Sequence, residues 1–125
     1  MIAIVAAGVT AFLQCAIALI EMVFWMNPKV HSRLIFNADE ARKAAPIVQN
    51  AGLYNAFLAA GLIWGFAASS GRAEILTFFL ACVAIAGVFG ALTLKTKSPF
   101  PLTLVVQTLP AALALAAIWW PDVSR

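Results

Sequence analysis

Glu21 is the residue from which chemistry is most readily built. It is the one charged side chain inside a long apolar run, residues 2–26. Ionisable groups in such runs are costly to hold and by default mark a ligand or proton site. Gln14, Glu21 and Trp25 follow at spacings of seven and four, which places them on one helical face. A second polar group, Gln49, Asn50, Tyr54 and Asn55, opens the next apolar segment, and Asn50 and Tyr54 are neighbours at a spacing of four. Gln107 stands three residues before Pro110 in the last apolar segment. Glu21, Asn50, Tyr54, Asn55 and Gln107 are expected at one depth on three helices, around a polar pocket. In that pocket Glu21 is the charged anchor and the amides orient a ligand. Trp25 and Tyr54 supply flat surfaces for its apolar part.

Other chemistry is scarce. Cys15 and Cys82 lie in different segments without a CxxC pair and read as buried small residues. His31 has no partner at metal-ligand spacing, so neither a metal nor a cofactor is expected. No phosphate loop, nucleophile elbow or dinucleotide fingerprint occurs.

The elements that must position these residues follow from composition. Only 10% of the 125 residues are charged and 64% are hydrophobic, against about 25% charged in a soluble domain. That excludes an ordinary soluble fold, and it excludes disorder. Eight basic residues scattered along the chain form no nucleic-acid face. Four segments, about 2–26, 47–69, 73–94 and 102–120, are long and apolar enough to cross a bilayer. The expectation is an all-α, single-domain bundle of four transmembrane helices over residues 1–125. The first segment has no basic flank and no cleavage site, and reads as a retained helix.

The links carry the rest. Asn37 and Glu40 have the spacing of a capping box, which predicts a short amphipathic helix over residues 38–45 in the first link, before Pro46. Lys29, Arg33, Arg42, Lys43, Lys95 and Lys97 fall in the first and third links; only Arg72 and Arg125 lie at the other end. This asymmetry puts those links in the cytoplasm and both termini outside. Lys29, Arg33, Arg42 and Lys43 could also meet anionic lipid headgroups. Phe24, Trp25 and Phe100 are expected to mark one membrane interface. Trp64, Phe66, Phe78, Phe79, Trp119 and Trp120 mark the other. Ala56, Ala60, Gly61 and Gly65, with Ala86, Gly87, Gly90 and Ala91, supply small-residue steps for close packing within the bundle or in a homo-oligomer. Pro110 leaves the Val106 carbonyl without its helical donor and predicts a kink.

Residues 49–65, which begin Gln49-Asn50-Ala51-Gly52-Leu53-Tyr54-Asn55, resemble the signature of a small bacterial and fungal membrane family known as domain of unknown function 1304. Its Glu-Met-x-x-Trp ending of the first helix matches Glu21, Met22 and Trp25. Its Gln-x-x-Pro matches Gln107 and Pro110, and its third helix is also glycine-rich. Family members often carry Glu-His where this chain has Gln14-Cys15. The resemblance implies a four-helix integral membrane protein, here of the bacterial cytoplasmic membrane, and no established reaction. The expected role is binding of a small amphiphile or lipid headgroup in the cytoplasmic half of the bilayer. The alternatives are a proton-coupled transporter using Glu21, an isomerase or glutathione-transferase type of membrane enzyme, and an accessory subunit. Small multidrug transporters, with one Glu in the first of four helices, and the membrane glutathione-transferase superfamily, with its long first link, are similar in architecture only.

Overall fold

In the computed structural model, which describes residues 1–120, the chain is all-helical. Arg125, counted above for orientation, lies outside the described residues. α1 (Ile2–Met22), α3 (Ala38–Ala67), α4 (Arg72–Thr93) and α5 (Leu109–Trp119) are the long elements. α2 (Pro28–His31) is a single turn followed by a 3-10 turn, Ser32–Leu34. α1 packs on α3 and α5, and α4 packs on α3 and on α5 with the turn before it. The long helices therefore form a ring in the order α1, α3, α4, α5.

The interior is built from small residues. Ala6, Ala7, Ala11, Ala111 and Ala114 meet Leu62, Leu76, Leu80 and Val83 in one cluster. Large apolar side chains such as Phe12, Phe57, Phe78, Phe89 and Leu92 point outward instead. A water-soluble bundle would reverse this arrangement, because its driving force is the burial of large apolar surface. Small residues inside and large ones outside suit helices that associate through close backbone packing.

Two helices, α1 and α4, are long and apolar enough to cross a membrane. The amides Asn50 and Asn55 make α3 less apolar, and the π-helical turn described below shortens α5. Each of the four expected segments thus overlaps one long helix, with different bounds, while length and apolarity single out two of them as able to cross a membrane.

Local chemistry explains the boundaries. Asn37 Oδ1 accepts from the N–H groups of Asp39 and Glu40, both at 3.0 Å, and Glu40 Oε2 accepts from Asn37 N–H at 2.9 Å. This is the expected capping box, but the helix it starts is not a separate one. α3 runs on through Pro46. Proline removes only the donor for the Arg42 carbonyl, and Arg42 is exposed in a polar stretch where that oxygen can be solvated. The separate helix in the link is α2, which begins with Pro28 behind Asn27, whose Oδ1 accepts from Lys29 N–H at 2.9 Å.

α1 ends at Met22, earlier than the expected residue 26, although Val23 and Phe24 still donate to the Leu19 and Ile20 carbonyls. Glu21 thus sits in the last turn of α1. Before α4, Gly71 adopts φ +67°, a left-handed conformation that glycine accepts without strain.

The expected kink at Pro110 takes the form of a π-helical turn, Leu104–Thr108. Pro110 cannot donate to the Val106 carbonyl, and Leu109 N–H reaches back five residues to Leu104. Gly87 lets α4 approach this widened turn. A Cβ there would collide with the Thr108 hydroxyl and stand 2.8 Å from the Thr108 nitrogen. Thr108 Oγ1 donates to the Ala84 carbonyl at 3.0 Å across the same contact.

Gly87→Ala is expected to destabilise the bundle by about 1–3 kcal/mol, since backbone cannot swing aside as a side chain can. Gly8→Ala, with nothing within 4 Å of the added atom, should be neutral or stabilising by up to about 1 kcal/mol. Reversible unfolding of both variants in mixed micelles checks the contrast.

Candidate functional site

α1 and α3 approach closely at Gly52. A Cβ at Gly52 would lie 2.7 Å from Met22 Cγ, 3.0 Å from Glu21 Cβ and 3.2 Å from the Ala18 carbonyl. This contact brings the end of α1 against α3 with no α3 side chain between them. One turn further along α3, Asn55 Nδ2 donates to Glu21 Oε2 at 2.8 Å. Gly52, Asn55, Ala59 and Leu62 repeat at three and four residues and form the inward stripe of α3.

Glu21 and Asn55 open onto a cavity of about 340 Å³. Thr103 and Gln107 complete its polar lining. Ile17, Leu34, Leu94, Leu102 and Val106 form the apolar walls, and Gly90 and Ala86 leave the α4 side low. Thr103 Oγ1 is buried without a hydrogen-bond partner. The π-helical turn carries Val106 and Gln107 into this space, and Gln107 is itself buried.

Of the residues expected around the pocket, Glu21, Asn55 and Gln107 meet. Asn50 and Tyr54 do not. They share a face, as their spacing requires, but it is the outward one. At about 100° per residue, Tyr54 lies about 100° and Asn50 about 140° from Asn55. Asn50 is exposed. Tyr54 is 60% exposed and edge-on to Phe57, with ring centroids 6.2 Å apart.

Trp25 does not line the cavity either, nor does it face outward as an interface anchor. It is 2% exposed. Its indole N–H donates to the Ala41 carbonyl at 2.8 Å, and its ring meets Phe36 edge-on at 5.5 Å and His31 at 6.3 Å. His31 Nδ1 lies 3.0 Å from the Phe36 carbonyl. Because α1 stops before Trp25, the indole folds under the first link and becomes the centre of that link's packing. Phe24 and Phe100 remain exposed.

Lys29, Arg33, Arg42 and Lys43 are exposed. Arg42 pairs with Asp39 at 3.4 Å on the surface, a contact of small energetic weight. Lys97 N–H donates to the Arg33 carbonyl at 3.0 Å, so the first and third links meet at one end of the ring. A second groove of about 360 Å³ lies there, lined by residues that include Glu40 and Lys95. Leu34 and Leu94 line both spaces.

Cys15 faces outward rather than into the core, and Cys82 is half-buried. Among the described residues no cluster of three or more metal-ligating side chains occurs. Gln14 is fully buried, and neither of its amide atoms has a hydrogen-bond partner. Thr103, Ile17 and Leu34 were not singled out from the sequence. Ile17 precedes Glu21 by four and Thr103 precedes Gln107 by four, so extending the same-face spacing by one turn would have found both.

A family model described as "Protein of unknown function (DUF1304)" matches residues 8–119. No curated protein and no solved structure matches the chain.

Asn55→Ala is expected to destabilise the protein by about 1.5–3 kcal/mol, the range for a hydrogen bond to a charged group. Asn50→Ala, on the outward face, should stay within about 0.5 kcal/mol of the parent. Equal effects in unfolding titrations would mean that the two amides share one environment.

Proposed function

We propose, from the premise that the chain belongs to the DUF1304 family of proteins of unknown function, that it is a four-span integral membrane protein that binds a small amphiphile or lipid headgroup beside Glu21. The observation that carries this reading is the cavity itself. It sets one carboxylate and two amides against aliphatic walls, the mixture expected of a site for a molecule with a polar head and a short apolar body. The outward-facing large apolar side chains on the long helices support the four-span placement. The basic first and third links, joined at one end by the Lys97–Arg33 hydrogen bond, support a cytoplasmic location for that end.

Binding is favoured over transport by the packing of the other half. The core cluster from Ala6 to Ala114 packs the ring beyond the cavity, and a transport path would have to cross it. Catalysis is less well supported. Proton-transfer chemistry on a bound molecule needs a second acid–base group near Glu21, and no other ionisable side chain lines the cavity.

Native mass spectrometry after extraction in a mild detergent tests the proposal. The parent should carry a co-purifying small molecule or lipid, and Glu21→Gln, which keeps an oxygen for Asn55, should lose most of it while remaining folded. A bare parent chain at every detergent concentration, or equal occupancy in the variant, contradicts the reading.

A further inference from the structure

We infer that the cavity selects a primary ammonium group, carried on a short apolar chain. This rests on the reading of the cavity as a binding site and names the chemistry of its ligand.

Glu21 is the one ionisable side chain lining the space. Among the described residues no Lys, Arg or His pairs with it; the ion pair found is Arg42 with Asp39. Its one side-chain donor is Asn55, at 2.8 Å on Oε2. A carboxylate offers about four lone-pair sites, so most of its accepting capacity is not taken up by other side chains. Asn55 and Gln107 also line the space, and each amide brings an acceptor oxygen beside its N–H donors. The lining therefore holds one carboxylate with spare accepting capacity and no cation. Its complement is a group with several donors, no acceptor and a positive charge, which describes –NH₃⁺.

Other polar heads fit less well. A carboxylate or phosphate would meet Glu21 with no cation in the lining to offset the repulsion. A quaternary ammonium has no N–H to donate and is usually recognised by aromatic faces, and no aromatic side chain lines this cavity. An alcohol brings one donor and no charge. The aliphatic walls of Ile17, Leu94, Leu102 and Val106 match a short alkyl chain behind the head.

The test is isothermal titration of the full chain, in a nonionic detergent near neutral pH, with n-hexylamine, hexanol, hexanoate and hexyltrimethylammonium. Hexylamine should bind about tenfold or more tightly than hexanol or hexyltrimethylammonium, in line with charge-assisted hydrogen bonds. Hexanoate should not bind. Glu21→Gln should remove the preference for the amine without loss of fold. If hexanol binds as tightly as hexylamine, or Glu21→Gln leaves hexylamine unchanged, the ammonium assignment is overturned while the cavity remains a binding site. If none of the four probes binds, the cavity reading fails with it. Titration in phosphatidylcholine nanodiscs with and without phosphatidylethanolamine then separates the two sources of the head. Competition by the second lipid identifies a lipid headgroup, and unchanged affinity identifies a free amine.

Discussion

A carboxylate at the end of an apolar helix has to be met by a donor, and in this protein the donor comes from the neighbouring helix. The Glu21–Asn55 hydrogen bond is the constraint around which the link end of the bundle is arranged. It requires α1 and α3 to lie almost backbone to backbone, which Gly52 permits. It also fixes their axial register, because the amide must stand one turn from that contact. With α1 and α3 locked in this way, α4 and α5 close the ring against them. The space left at the Glu21 end becomes a cavity rather than a packed layer.

The two halves of the bundle therefore differ in kind. The half towards Met1 and Arg72 is filled by alanines and a few aliphatic side chains. The half towards the links holds the cavity, where a π-helical turn interrupts the way into α5 and glycines on α4 let that turn lie close. Pro110 is the origin of that turn, and Gly87 is what lets α4 accept it. The first link folds over the same end around Trp25, whose indole ties the residues after α1 to Ala41 near the start of α3. Leu34, from this folded link, forms part of the cavity wall.

Much of this was legible in the sequence, and what was not has identifiable physical causes. The helical class, the capping box at Asn37, the disturbance before Pro110 and the meeting of Glu21, Asn55 and Gln107 all follow from apolar length, cap chemistry and the scarcity of polar groups in the apolar segments. Asn50 and Tyr54 were grouped with Asn55 by closeness in sequence. A helix separates neighbours by about 100°, and which side faces inward is decided by Gly52, whose closeness to α1 is a property of the packed pair. Trp25 was placed on the Glu21 face because an apolar run does not reveal where its helix stops; the chain turns after Met22 and takes the indole inward. The helix begun at Asn37 was expected to stop before Pro46. An exposed helix tolerates the one missing hydrogen bond, and α3 continues through it.

The central claim is that Glu21 and Asn55 act on each other inside the bundle rather than separately at its surface. A double-mutant cycle on unfolding free energy, with Glu21→Ala, Asn55→Ala and the pair, measures this directly. The account predicts a coupling of about 1–2 kcal/mol, within the range for residues that share a hydrogen bond. Strict additivity, within about 0.3 kcal/mol, would contradict it and leave Glu21 and Asn55 acting separately.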